Sequence, residues 1–165
     1  MCASGEEYYS LMILLKENKW IDRCEVLVSS LSNKSLEIIK NGSMEYDKLE
    51  ISTKNYARFQ GTLQLTNYFK TVDNTVYFEK SLFTNTKFFK DDFSLTNDYG
   101  HVNLILFRNK LIYFTPTLQY KVCEALHNKM TPRGLIALGI LEEIDVNNQK
   151  FAVLSKEESI YQRKN

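Results

Sequence analysis

Cysteine is scarce. Cys2, Cys24 and Cys123 stand far apart, odd in number and without a C-x-x-C pair. That pattern argues against a disulfide framework or a zinc cluster and predicts reduced intracellular thiols. With 2 Pro and 6 Gly, there is little room for long flexible linkers. Neither sign of charge dominates, with 21 Lys plus Arg against 20 Asp plus Glu. A near-neutral total gives no reason to expect nucleic acid or an anionic membrane as partner. Long apolar runs are missing as well. Leu11 to Leu15 is too short for the core of a secretory signal, and Glu6 and Glu7 stand where such a signal carries Lys or Arg. Nothing approaches a membrane-spanning length. The expectation is a cytoplasmic protein with no membrane insertion.

What is present is a chain of 165 residues with 44% apolar and 25% charged side chains, enough to bury a core within one domain, 1–165. Ser4-Gly5-Glu6-Glu7 has the form of a capping box, and Tyr8, Leu11, Met12 and Leu15 follow at helical spacing. Glu25 to Ser29 reads as a short buried strand. Ser32 or Asn33 caps the next helix, which carries Leu36, Ile38 and Ile39 and stops at Asn41-Gly42. Val72-Asp73-Asn74-Thr75-Val76 predicts a hairpin. Phe83 to Phe89 reads as a further strand, and residues 55–82 as a small, mostly β insert. Val102 to Phe107 is apolar apart from Asn103, which predicts a strand buried on both faces. Pro116 opens a helix with Leu118, Val122, Ala125, Leu126 and Met130 on its apolar side. Thr131-Pro132-Arg133-Gly134 reads as a break before a buried strand over Leu135 to Ile140. Phe151 to Leu154 and Ile160 to Gln162 flank Lys156 to Ser159 as a closing hairpin. Alternating strands and helices imply an α/β domain with a mainly parallel sheet and an antiparallel edge. Ligands of such sheets lie beyond the carboxyl ends of the strands, here Ser29-Ser30 and Phe107-Arg108-Asn109.

Three segments, in order, resemble the CheR family, the S-adenosylmethionine-dependent methyltransferases that esterify glutamates of chemoreceptors. Cys2-Ala3-Ser4-Gly5-Glu6-Glu7-Tyr8-Tyr9-Ser10 is similar to the family's C-S-T-G-E-E-P-Y-S. Leu104 to Phe114 is similar to its D-L-I-L-C-R-N-V-L-I-Y-F, and Leu126 to Leu135 to its L-H-x-x-L-x-P-G-G-x-L. The tail from Phe151 to Arg163 resembles the family's closing hairpin. The resemblance implies a Rossmann-like class I methyltransferase fold with a small antiparallel β insert and a C-terminal antiparallel hairpin. Family members begin with a helical domain and a first sheet strand, so this chain reads as lacking that first strand. The strands flanking it would then have open edges, which leads to an expectation of self-association.

The resemblance also implies roles for single residues. Gly5 and Glu7 would lie beside S-adenosylmethionine, with the Glu7 carboxylate accepting from the methionine ammonium. By its own chemistry Glu7 reads equally as the carboxylate of a capping box. The family's ribose-binding Asp falls on Ser30, whose hydroxyl offers one neutral bond in place of two charged ones, a loss worth ~1.5–3 kcal/mol. An Asn-Leu pair that meets the adenine falls at Lys87-Phe88, or at Asn85 in a shifted register. Lys donates but does not accept, so Lys87 reads by its chemistry as a solvated charge. Arg108, Asn109 and Tyr113 match the family best. Asn109 would border the cofactor, while Arg108 and Tyr113 would hold the incoming glutamate carboxylate as catalytic residues. Against this, Arg108-Asn109 can simply close a strand-to-helix turn, with Tyr113 packing. His101 and His127 show no spacing that suggests a triad or a metal site. The partner implied is the cytoplasmic tail of a methyl-accepting receptor or a related signalling protein, docked on the β insert. Two other readings stay open: a catalytically degenerate CheR-like binding module, and a truncated gene remnant.

Overall fold

The computed structural model describes residues 4–90, 100–144 and 149–165. Two compact units, Met1–Asp92 and Phe93–Asn165, each carry their own apolar core.

The first unit opens with α1, Glu6–Glu17, which buries Tyr8, Tyr9, Met12, Ile13 and Leu15. The expected capping box does not form. The cap residue is Gly5, with φ 95, and no side chain caps the helix. The Ser4 hydroxyl donates instead to the Glu6 carboxylate, a charge-assisted bond that outcompetes a neutral cap. Strand β1, Val26–Ser30, buries alternate residues, as expected of a core strand. It leads into α2, Asn33–Asn41, where Ser32 accepts from the Ser35 amide and Gly42 stops the helix at φ 69. Both signals are local, and both hold.

Strand β2, Ser43–Glu45, is followed by α3, Leu49–Phe59. This helix falls partly in the stretch read as β. Ile51 and Thr53 are β-branched, and Lys48 caps without a side-chain bond, so the usual helix signals are weak. Packing of Leu49 and Tyr56 against the core holds it in place. The hairpin at Asp73-Asn74 is present: β3, Phe69–Val72, and β4, Thr75–Phe78, pair antiparallel, with Asp73 at φ 50. Strand β4 also pairs with β2, giving a three-stranded antiparallel sheet in the order β2-β4-β3. Strand β5, Thr86–Lys90, lies parallel to β1, with Ser30 opposite Lys90.

The second unit is a four-stranded sheet with one long helix. Its strands are β6, Val102–Leu106, β7, Met130–Ala137, β8, Phe151–Ser155, and β9, Ile160–Arg163, in the order β6-β7-β9-β8. Strands β6 and β7 are parallel, while β9 runs antiparallel to both β7 and β8, so the closing hairpin forms the antiparallel edge as expected. Helix α4, Pro116–Lys129, starts on its proline and buries Val122, Cys123 and Leu126; Leu118 is exposed. The Cys123 thiol is pushed up to about 11 by burial, so it stays a thiol and serves as core.

Two strand expectations are corrected. The helix does end ahead of Thr131-Pro132-Arg133-Gly134, but that segment belongs to the strand rather than preceding it: α4 passes directly into β7 at Met130. A register shift opposite Val102 and Leu104, with Arg133 at φ 61, absorbs the proline as a bulge. Strand β6 is not buried on both faces. It ends the sheet order, and Leu104 is 47% exposed. An apolar run reports propensity for a buried strand, but the neighbours that would cover it are not in the run itself.

Candidate functional site

The amino-terminal turn is built around Gly5. Its φ of 95 belongs to the left-handed region, and an added Cβ would come 2.8 Å from the Tyr9 ring. Tyr9 stacks on Phe78 at 4.4 Å between centroids and donates to the Ser43 carbonyl at 3.1 Å. Gly5 is therefore held from below by buried aromatic rings. Glu6 and Glu7 occupy the first turn of α1, where an acid suits the helix dipole. Lys48 donates to Glu6 at 2.5 Å. Burial works to raise the Glu6 carboxyl, but the hydrogen bonds from Lys48 and Ser4 outweigh it and hold it below the usual carboxylate range. Glu7 is half-buried. Cys2 and Ala3 of the opening motif lie outside the described residues.

Ser30 ends β1 and is 3% exposed. Its Oγ accepts from the Ser32 amide at 3.5 Å, a long contact that leaves the hydroxyl proton available at the carboxyl end of a parallel strand. Lys87 faces Leu27 in the β1–β5 register, and its Nζ pairs with Glu25 at 2.8 Å, both side chains largely exposed. It is the solvated charge that its chemistry suggested. Phe88 packs edge-on to Tyr8 at 5.8 Å and lies against the core. Asn85 stands at φ 55 just before β5.

In the second unit, Arg108 and Asn109 follow β6 after the buried Phe107, on an exposed turn. Asn109 takes the left-handed backbone at φ 55, which Asn tolerates better than most residues. A short 3-10 turn over Leu111–Tyr113 comes next, and Tyr113 is 78% exposed, so the packing alternative for its ring does not apply. The turn is clamped on both kinds of backbone group. Its amides point to Glu142, which accepts from Asn109 N at 2.7 Å and Ile112 N at 3.2 Å. Its carbonyls are met by Gln119 of α4, which donates to Leu111 O at 2.9 Å and Phe114 O at 3.2 Å. Glu142 also accepts from Gly139 N at 2.7 Å.

Sequence reasoning passed over Glu142 and Gln119. A partial signal for the first was present: the carboxylates of Glu142 and Glu143 stand directly behind the apolar run Leu135 to Leu141, but nothing in the sequence says which of the two is buried. No signal marked Gln119, whose partners lie in another element.

Parallel strand pairs joined through helices, a closing antiparallel hairpin, and polar turns at Ser30 and Arg108-Asn109 where strands end define the class: a Rossmann-like class I methyltransferase fold. Within the first unit, the buried Ser30 hydroxyl, whose Ser32 amide partner lies at 3.5 Å, and a first-turn carboxylate are group types that suit the ribose and amino-acid parts of that fold's cosubstrate, S-adenosylmethionine. The sequence matches the family described as CheR methyltransferase, SAM binding domain, over residues 1–160. It is 26% identical over 164 residues, 98% of this chain, to a Pseudomonas putida protein that carries the name of a methyltransferase, Cher3. It is also 26% identical over 153 residues, 87% of this chain, to the chemotaxis protein methyltransferase Cher2 of the same organism. The chain belongs to the CheR methyltransferase family, as its S-adenosylmethionine-binding domain. It spans 60% and 53% of the lengths of those two relatives. Among the described residues, no helix is long and apolar enough to cross a membrane.

Proposed function

We propose that the chain is the catalytic domain of a cytoplasmic O-methyltransferase that esterifies glutamate side chains of chemoreceptor proteins. The observation that carries this is the family match over residues 1–160, together with an Arg108-Asn109 turn clamped at the end of a parallel strand. S-adenosylmethionine, when bound, would supply an electrophilic methyl carbon, which an attacking carboxylate oxygen would take in line as the C–S bond breaks and the thioether leaves. The residues present have to align and partly desolvate that carboxylate rather than move protons. Arg108 is assigned to hold the substrate carboxylate through two parallel bonds, and Tyr113 to donate to its second oxygen. Glu7 is assigned to the methionine ammonium, Ser30 to a ribose hydroxyl and Asn109 to the nucleoside. Gly5 lets the backbone approach, and Lys87 and Phe88 border the adenine. The receptor tail is assigned to an edge of the β2-β4-β3 sheet, where Val72 of β3 is exposed.

Calorimetry with S-adenosylhomocysteine, followed by transfer of labelled methyl to a receptor cytoplasmic fragment, tests the reading. Nucleoside binding and base-labile label on the receptor are expected; no heat at millimolar ligand would sink it. A second reading, a binding module that has lost turnover, is favoured by Ser30 in place of an acid and by Lys87 held on Glu25. Ser30→Asp separates the two. A rise in affinity of roughly 10- to 100-fold means that the pocket is intact but weakened. No change means that the chain keeps only docking. Among the described residues β6 ends its sheet, with Leu104 exposed; this supports self-association of the isolated chain, and a clean monomer in size-exclusion chromatography would contradict that.

A further inference from the structure

Glu142 has surroundings that neither core packing nor ligand binding explains. It is 4% exposed, yet it sits in a turn whose other side chains face solvent: Ile140 is 66% and Leu141 87% exposed. Leu138 and Ile144 anchor the two ends of this turn in the second core, but the apolar side chains between them do not hold it. What holds it is the carboxylate. Its Oε2 takes the amides of Asn109 and Gly139, both at 2.7 Å, and Oε1 takes that of Ile112. Its own amide returns to the Gly139 carbonyl at 2.8 Å, closing the loop that aims the side chain inward. A buried carboxylate is tolerated only with such partners, and each amide brings a partial positive charge. Gly139 completes the arrangement. A Cβ there would lie 2.3 Å from Asn109 Oδ1 and 2.9 Å from Glu142 Oε2, so its bare backbone leaves room for the Asn109 carboxamide.

We infer that Glu142 is a positioning residue for the methyl-transfer site: its carboxylate locks Asn109 into left-handed backbone and thereby sets the direction in which Arg108 and Asn109 present their side chains. The role of the turn rests on the methyltransferase reading above; the clamp itself does not. A glutamine fills the same volume, but one end of its amide is a donor that would face a backbone amide. A role limited to filling space predicts that Glu142→Gln is silent, and a positioning role predicts that it is not.

The test uses the 15N-labelled full chain as wild type, Glu142→Gln and Glu142→Asp. In Glu142→Gln the amide signals of Asn109, Ile112 and Gly139 are expected to move upfield together while those of β8 and β9 stay in place. S-adenosylhomocysteine binding is expected to weaken about 10-fold or more. Glu142→Asp keeps the charge one methylene short, so it should regain part of both readings, and it serves alone if the glutamine variant fails to fold. Unmoved amides, or moved amides with unweakened binding, overturn the inference. A wild-type chain that binds no nucleoside overturns the methyltransferase reading instead, and the three amides then decide the clamp by themselves.

Discussion

The turn at Gly5 and the turn at Arg108-Asn109 both use left-handed backbone, φ 95 in the first and φ 55 in the second, but they are secured by different means. The first rests on rings. Tyr9 lies under Gly5, stacked on Phe78 and near Phe83 at 5.9 Å, in a core shared with Tyr8 and Met12. The second adds charge, since between Phe107 and Leu111, both buried in the second core, the Glu142 carboxylate gathers three backbone amides beneath exposed side chains. Packing is non-directional and tolerates small shifts, whereas a carboxylate clamp demands its donors at set positions. The contrast suits the assigned tasks, because a glycine turn has only to let a ligand approach while an arginine has to be aimed.

The contrast can be broken from the ring side first. Tyr9→Ala removes a side chain that is 1% exposed from the centre of the first core and should cost about 3–5 kcal/mol, read by urea unfolding. An unchanged midpoint would mean that the rings do not carry the turn. On the charge side, Gly139→Ala forces a methyl against Asn109 and Glu142 and should cost about 1–3 kcal/mol, with the loss concentrated in the second unit. Amide exchange localises it; a loss spread evenly over both units would argue against a local clamp.

The first unit also has a polar link, and it sharpens the comparison. Glu17 accepts from the Tyr68 hydroxyl at 2.8 Å, from the Thr62 amide at 2.9 Å and from the Tyr56 hydroxyl. Burial works to raise Glu17, but the bond from Tyr56 leads those that outweigh it and hold the carboxyl below its ordinary 4.5. Tyr68 is pushed up, by burial first and by its bond to Glu17 next. A depressed acid contributes stability that is fully present above the unfolded value and is lost as pH falls through the folded one. The melting temperature should therefore fall as pH drops below 4.5, and Glu17→Gln should flatten that acid limb and cost about 1 kcal/mol at neutral pH. An acid limb identical to wild type would remove Glu17 from the account. The smallest effect is expected at Lys87, whose exposed pair with Glu25 should be worth under about 0.5 kcal/mol, so Lys87→Ala should leave the melting temperature almost unmoved.

Elements that announce themselves within a few consecutive residues are legible in the amino-acid order. Ser32 and Gly42 bracket α2, Asp73-Asn74 turns the hairpin, and Pro116 starts α4. The Gly5 and Arg108-Asn109 segments are legible through the family resemblance, whereas local chemistry at the first points to a capping box that does not form. Helix α3 is not legible, since Leu49 to Phe59 lacks a cap and gains its hold from a core assembled by other segments.

Apart from β2 and α3, most strands and helices and the hairpin turn are written in the chain, because propensity, capping and spacing act over a handful of neighbours, and the family kinship is written there as motifs. Which face of β6 stays open, how a proline joins β7 as a bulge, and why Glu142 is buried come only from folding. The reason is distance along the chain: Glu142 meets Asn109 across 33 residues, and a carboxylate's partners cannot be read until the backbone has brought them together.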